Sequence, residues 1–316
     1  MSAKLKSLYL RWERFWFAPA APLSLAVCRL TACAALFSFL LREPAWRWTS
    51  QLGVLGSVPT ELWRPIPLLQ LLHVGPPSQL AVNVAFGLTL TAATLLTLGW
   101  LGRPSSIVCA AGAFYLLAVR NSWGKIYHDY HVLSVILFVL AASECCGALV
   151  LGRRAAAAAP SGAYRWPVKL IQLSYTLMFA FAAYNKLAAG DGIEWIFGEN
   201  LRNTLLVQNL VHEPRPTLLG PWVAQHQVLW TAGALGIVLA QACAIGLVFI
   251  RQRYVRLAIF GLLWGFIGGR TFLMGMPEPI FAILTLTLVD WDGVVAWSRA
   301  FARAAHDGAT GAGMPR

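Results

Sequence analysis

The chain has 316 residues, 58% of them hydrophobic and only 12% charged, with a formal net charge of +12. Its mean hydropathy of +0.62 lies outside the range of soluble globular domains and excludes a fold solvated by water on all sides. The basic residues stand in short clusters between apolar runs, not in one patch among exposed aromatics, so nucleic acid is not an expected partner and the lipid bilayer is.

In chain order, LYLRWERFWF at 8–17 mixes aromatic and basic residues as an interfacial belt does, and residues 1–21 read as an amphipathic segment lying on the membrane. No small-residue cleavage site closes the first apolar run, so no cleaved signal peptide is expected. Apolar windows then predict spans near 22–41, 79–100, 105–119, 131–152, 166–187, 226–249, 257–274 and 279–297. The expected fold is all-α, a polytopic transmembrane bundle of about eight spans, with seven to nine as the range. Residues 22–297 form one transmembrane domain, and 298–316 read as a disordered cytoplasmic tail. The segment 196–211 is ambiguous, either interfacial or inserted. With the N-terminus inside, 15 of the 25 basic residues fall on the cytoplasmic side, which predicts a multi-pass cell-membrane protein with both termini cytoplasmic. The six cysteines all lie in apolar runs and read as small hydrophobes.

Polar residues inside spans are costly, and so informative. Arg29, Glu144 and Gln241 each come to lie roughly 10 Å deep from the same face and read as an intramembrane polar layer, with Arg29 and Glu144 as candidate ion-pair partners. At the opposite face, NSWGKIYHDYHVLSV enters the fourth span with His128 and His131 three residues apart on one helical face. One histidine pair is too few for a catalytic zinc site, and no metal is expected. The fifth span closes on Tyr184, Asn185 and Lys186; because consecutive spans are neighbours, His128, His131 and Lys186 should meet at one mouth of the bundle with Tyr127 and Tyr130. Interfacial snorkelling accounts for such residues. Alternatively, desolvation favours a neutral lysine amine that can act as a base.

Three stretches resemble the HTTM-like membrane family, which is related to the vitamin K-dependent carboxylases: PLSLAVCRL at 22–30 after FWFAP, IYHDYHVL at 126–133, and WPVKLIQLSY, AAYNKL and EWIFGENL across 166–201. The resemblance implies that Lys186 matches the lysine that activates a reduced quinone. It also implies that His128, more than His131, matches a histidine of the carboxylation step, and that chemistry takes place at the outer membrane face. The chain departs from the carboxylase at Asn185, where that enzyme has a second lysine, and in WGFIGGRTFLMG at 264–275, which holds no histidine.

The leading functional reading is thus a carboxylase-like or quinol-linked membrane enzyme with Lys186 as base. One alternative is a transporter whose path is lined by Arg29, Glu144, Gln241 and Arg270. Another is a non-catalytic membrane partner in secreted-peptide maturation, presenting loops 42–78 and 188–225 with Trp46, Trp48, Trp63 and Trp222 as anchors or contacts.

Overall fold

The computed structural model describes residues 3–42, 60–123, 128–152, 159–211 and 217–310. Among these there is no strand, and one isolated bridge joins Ala20 to Ser161. The principal helices are α1 (Ala3–Phe17), α2 (Leu23–Arg42), α3 (Gln79–Leu98), α4 (Gly102–Asn121), α5 (His128–Ala141), α6 (Gly162–Tyr184), α7 (Asn200–Val211), α8 (Gln227–Cys243), α9 (Arg253–Met274), α10 (Pro279–Leu284) and α11 (Trp291–Thr310).

Side-chain size sets the layering. In α2, Ala26, Cys28, Ala32, Cys33 and Ala35 are buried and small, which lets neighbouring backbones approach. Accordingly 67% of its apolar window is buried, against 28% for α3 and 22% for α9, so α2 is central and the other two face lipid. Helix ends follow local chemistry. Ser78 and Ser161 cap α3 and α6 by accepting from Ala81 N–H (3.2 Å) and Ala163 N–H (3.1 Å). Gly99 and Gly275 end α3 and α9 in the left-handed conformation, at φ 77° and 64°.

α3 and α4 pack as an antiparallel pair whose close approach depends on Gly112. A β-carbon there would strike Thr89 Oγ1, which is held in place by donating to Ala85 O at 2.6 Å. Gly112→Leu is therefore expected to destabilise the protein by about 2 kcal/mol through overpacking. Gly87→Leu, at a position with nothing within 4 Å, should be neutral when both are compared by thermal unfolding in detergent.

α2, α3, α4 and α9 are each long and apolar enough to cross a bilayer, and a fifth crossing results if α10 and α11 are counted as one bent span. The apolar windows gave about eight, and the difference has local causes. α5 and α8 stop after 14 and 17 residues. α6 is 23 residues long but carries Arg165, Lys169 and Gln172 in its first half. The predicted span 279–297 is broken: α10 passes into a 3₁₀ turn (Thr285–Leu288), and the chain bends by 63° before α11. This irregular backbone is satisfied by protein donors, as a bilayer requires. Tyr175 Oη donates to Phe281 O (2.9 Å), Gln172 Nε2 to Thr287 O (3.0 Å) and Arg256 Nη2 to Leu288 O (3.1 Å).

Other elements bear on the remaining expectations. α11 runs from Trp291 to Thr310. Of the two readings left open for 196–211, the interfacial one suits α7, whose 12 residues rise about 18 Å, short of a hydrocarbon core of roughly 30 Å. This helix packs through Leu201 and Leu205 onto Ile196, Ala224, Trp230 and Met274, a separate apolar cluster beside the main core. Trp63 is no surface anchor, being buried edge-on against Trp123 at 5.1 Å, whereas Trp222 is half exposed. Trp46 and Trp48 lie outside the described residues.

Candidate functional site

Beyond the end of α6 the chain makes a π-helical turn, Asn185–Ala189, that carries Lys186. The half-buried amine donates to Ala182 O at 3.2 Å and stands 5.1 Å from the centroid of the Trp195 ring. Trp195 comes from the single turn Glu194–Phe197, so the acidic loop after α6 folds back to provide the aromatic face under the amine. Both contacts recognise an ammonium, the carbonyl by a charge-assisted hydrogen bond and the indole by its negative face.

A second cation completes the cluster. Arg270, in the last turn of α9, pairs with Glu278 at 2.6 Å and lies 6.0 Å from the Phe266 ring centroid. The pairing follows from the helix end: Gly275 turns the chain, Met276 N–H returns to Arg270 O at 3.1 Å, and Glu278 is delivered just before α10. Arg270 acts electrostatically on both Lys186 and Asp129, which puts the start of α5, the end of α6 and the end of α9 at the same end of the bundle. Asp129 sits in the first turn of α5 and also feels His128.

His128 and His131 are near each other and both exposed. Arg270, Trp195 and the Ala182 carbonyl act on the Lys186 amine, while His128 acts on His131 and on Asp129. Lysine and histidines thus share one end of the bundle, with Arg270 standing where an imidazole was expected beside the amine. Tyr130 is buried against Phe39 at 5.1 Å, and Tyr127 lies outside the described residues. Among the described residues no three His, Cys, Asp or Glu converge as metal ligands.

A groove of about 660 Å³ opens between α7, α8 and α9, with Arg270 as its one charged lining residue. Its walls include Gly233 and Gly236 of α8 and Gly261, Gly265 and Gly269 of α9. β-Carbons built at Gly236, Gly261, Gly265 and Gly269 would meet nothing within 4 Å, so these glycines border open space instead of a helix contact. The volume is that of a site for a small lipophilic molecule.

The intramembrane layer is rearranged. Arg29 is fully buried, but its guanidinium donates to Cys145 O (3.0 Å) and Leu149 O (2.6 Å), while Glu144 is exposed. The expected Arg29–Glu144 pair is replaced by an arginine that satisfies the carbonyls of the turn after α5, an end of chain that has no further helical partner to offer them. Gln241 is buried, and its Oε1 has no hydrogen-bond partner among the described residues. Glu278 was not anticipated as a site residue, and Arg270 was read only as part of a transport path. The signal for both was Gly-Met-Pro-Glu-Pro at 275–279, a forced reversal that returns an acid to the helix it leaves.

Described residues that are all-helical, with lipid-compatible longest elements and an apolar groove lined by Arg270, define an integral membrane protein with a polar cluster at one end of its bundle. The chain belongs to the HTTM family: the HTTM domain model matches residues 17–291. Searches of curated proteins and of solved structures return no match.

Proposed function

We propose that this HTTM protein is a membrane enzyme acting on a reduced quinone or a similar lipid-soluble phenol, at the outer end of the bundle, with Lys186 as its general base. The observation that carries the reading is an apolar groove of about 660 Å³ lined by one cation, Arg270, which also acts on the neighbouring Lys186 amine. The amine of Lys186 would take a phenolic proton, and the guanidinium of Arg270 would face the oxygen left anionic. His128, in reach of Asp129, is the next proton-transfer group at the same end, with His131 behind it. The family resemblance around residues 166–201 supports the assignment of Lys186.

The test uses full-length protein in lipid nanodiscs with a short-chain quinol. Quenching of tryptophan fluorescence reads binding, and oxidation of the quinol by dissolved dioxygen, supplied as the oxidant in the assay, reads turnover. Lys186→Ala is expected to keep binding and lose turnover by about 100-fold or more, the scale of a general base. Unchanged turnover in Lys186→Ala, or the absence of quenching by any quinol, would sink the reading.

A second reading has an observation of its own. Gly261, Gly265 and Gly269 repeat at four-residue spacing on a helix face with open space before it, as the docking face for a partner transmembrane helix does. On that reading the protein is a non-catalytic membrane partner, and Gly265→Leu abolishes co-purification of the partner while quinol binding is absent throughout.

A further inference from the structure

The opposite end of the bundle, where the N-terminal helix lies, holds a second polar site. A cavity of about 260 Å³ is lined by Arg165 and Lys169 of α6, by Arg251 and Arg256 at the start of α9, and by Asp290 and Asp292 at the break before α11. Arg165, Arg251 and Arg256 all act on the Lys169 ammonium, with Asp290 as the opposing charge. Asp292 also lines the cavity, its Oδ2 accepting from Ser24 Oγ at 2.8 Å. Four cations therefore converge with two carboxylates, an excess of positive charge that an anion would offset.

Several of these side chains are fixed in place. Arg165 Nε donates to Phe15 O at 2.9 Å, and Lys169 Nζ to Gln172 Oε1 at 3.2 Å, 5.5 Å from the Phe15 ring centroid. Arg256 Nη1 donates to Leu247 O at 2.7 Å. Arg251 is exposed at the rim. A second hollow, about 460 Å³ and mostly apolar, shares Arg251, Arg256, Val289 and the carboxylate Asp290 with the cavity and continues over Leu257, Phe260 and Trp297. Two amphipathic helices flank the pair: α1, whose Phe15 stacks on Phe249 at 5.5 Å, and α11, whose exposed Trp297 and Phe301 stack at 5.8 Å. Exposed aromatics on such helices belong at headgroup depth.

A cationic pocket at headgroup depth continuous with an apolar trough matches one molecule in shape and charge. We infer that this is a binding site for an anionic phospholipid, its phosphate among Lys169, Arg251 and Arg256 and an acyl chain along Leu257, Phe260 and Trp297. The apolar trough is what selects a lipid over a free phosphate.

The inference is tested with the full-length protein in detergent, titrated with phosphatidylglycerol and followed by native mass spectrometry. Phosphatidylcholine and inorganic phosphate serve as comparison probes. Phosphatidylglycerol should bind at least tenfold more tightly than either. Arg251→Gln and Lys169→Gln should each weaken it about fivefold, and together about 25-fold, as expected for charges near a membrane surface. Arg103→Gln, at the same end but outside the cavity, should have no effect. Equal retention of phosphatidylglycerol by the parent and the double variant would overturn the assignment. So would phosphatidylcholine binding as tightly, and inorganic phosphate binding as tightly would reassign the pocket to a free anion. Should Lys169→Gln not fold, Arg251→Gln at the exposed rim decides alone.

Discussion

Arg29→Met should remove most of the folded protein, while Glu144→Gln leaves yield and thermal stability unchanged. Arg29 is completely buried in α2, and its two hydrogen bonds end on the carbonyls of Cys145 and Leu149, 116 and 120 residues away in sequence. Exchanging a buried ion pair for apolar residues is often neutral, because both charges leave together. Here the acceptors are backbone carbonyls, which no side-chain substitution removes. Stranding two of them costs about 4 kcal/mol in all, comparable with the net stability of many domains. Arg29→Lys should fall between, since one ammonium on a shorter reach does not span both acceptors with a planar fork. Size-exclusion yield and melting temperature in detergent check all three variants. Loss of protein in Glu144→Gln equal to that in Arg29→Met would restore the ion-pair reading.

The second large effect concerns Arg270 and Glu278. Both side chains are mostly shielded, at 26% and 17% exposure, so their 2.6 Å contact is less screened than a surface pair. Arg270→Met leaves a shielded carboxylate without its guanidinium and is expected to destabilise the protein by about 3 kcal/mol. Adding Glu278→Gln should recover about half of that, a coupling within the range found for contacting residues. A double-mutant cycle in detergent reads the coupling directly, and strictly additive losses would show that the pair does not hold α9 to α10. The same variants bear on the proposed chemistry. Glu278→Gln leaves Arg270 in place and is expected to retain quinol binding, whereas Arg270→Met removes the cation that lines the groove and is expected to lose it.

The sequence showed where helices lie because apolar composition is a local property, and the windows at 22–41, 79–100 and 105–119 coincide with α2, α3 and α4. The family was also legible, since the stretches at 22–30, 126–133 and 166–201 fall inside the matched region. What local composition does not encode is how backbone groups are satisfied over long sequence distances. The last apolar window reads as continuous, yet Gln172 and Arg256 supply donors that let the chain adopt a 3₁₀ turn and bend, at separations of 115 and 32 residues. Arg29 was read as seeking a carboxylate because charge pairing is the usual answer inside a membrane, and carbonyls at a frayed helix end are invisible in a residue pattern. Lys186 lies in the turn just after α6, and its partners come from an indole nine positions on and a guanidinium on another helix. Neither follows from the spacing of polar residues along α6.

The uncovered glycine face of α9 has a kinetic corollary. Ala258, Gly261 and Gly265 are exposed on a helix that lies at the edge of the bundle, so the groove they line opens sideways into acyl chains. A molecule reaching Arg270 by that route diffuses in two dimensions and never passes through bulk water. Occupancy is then governed by its mole fraction in the bilayer: diluting the ligand with inert lipid at constant total amount lowers saturation, whereas diluting the whole suspension with buffer does not.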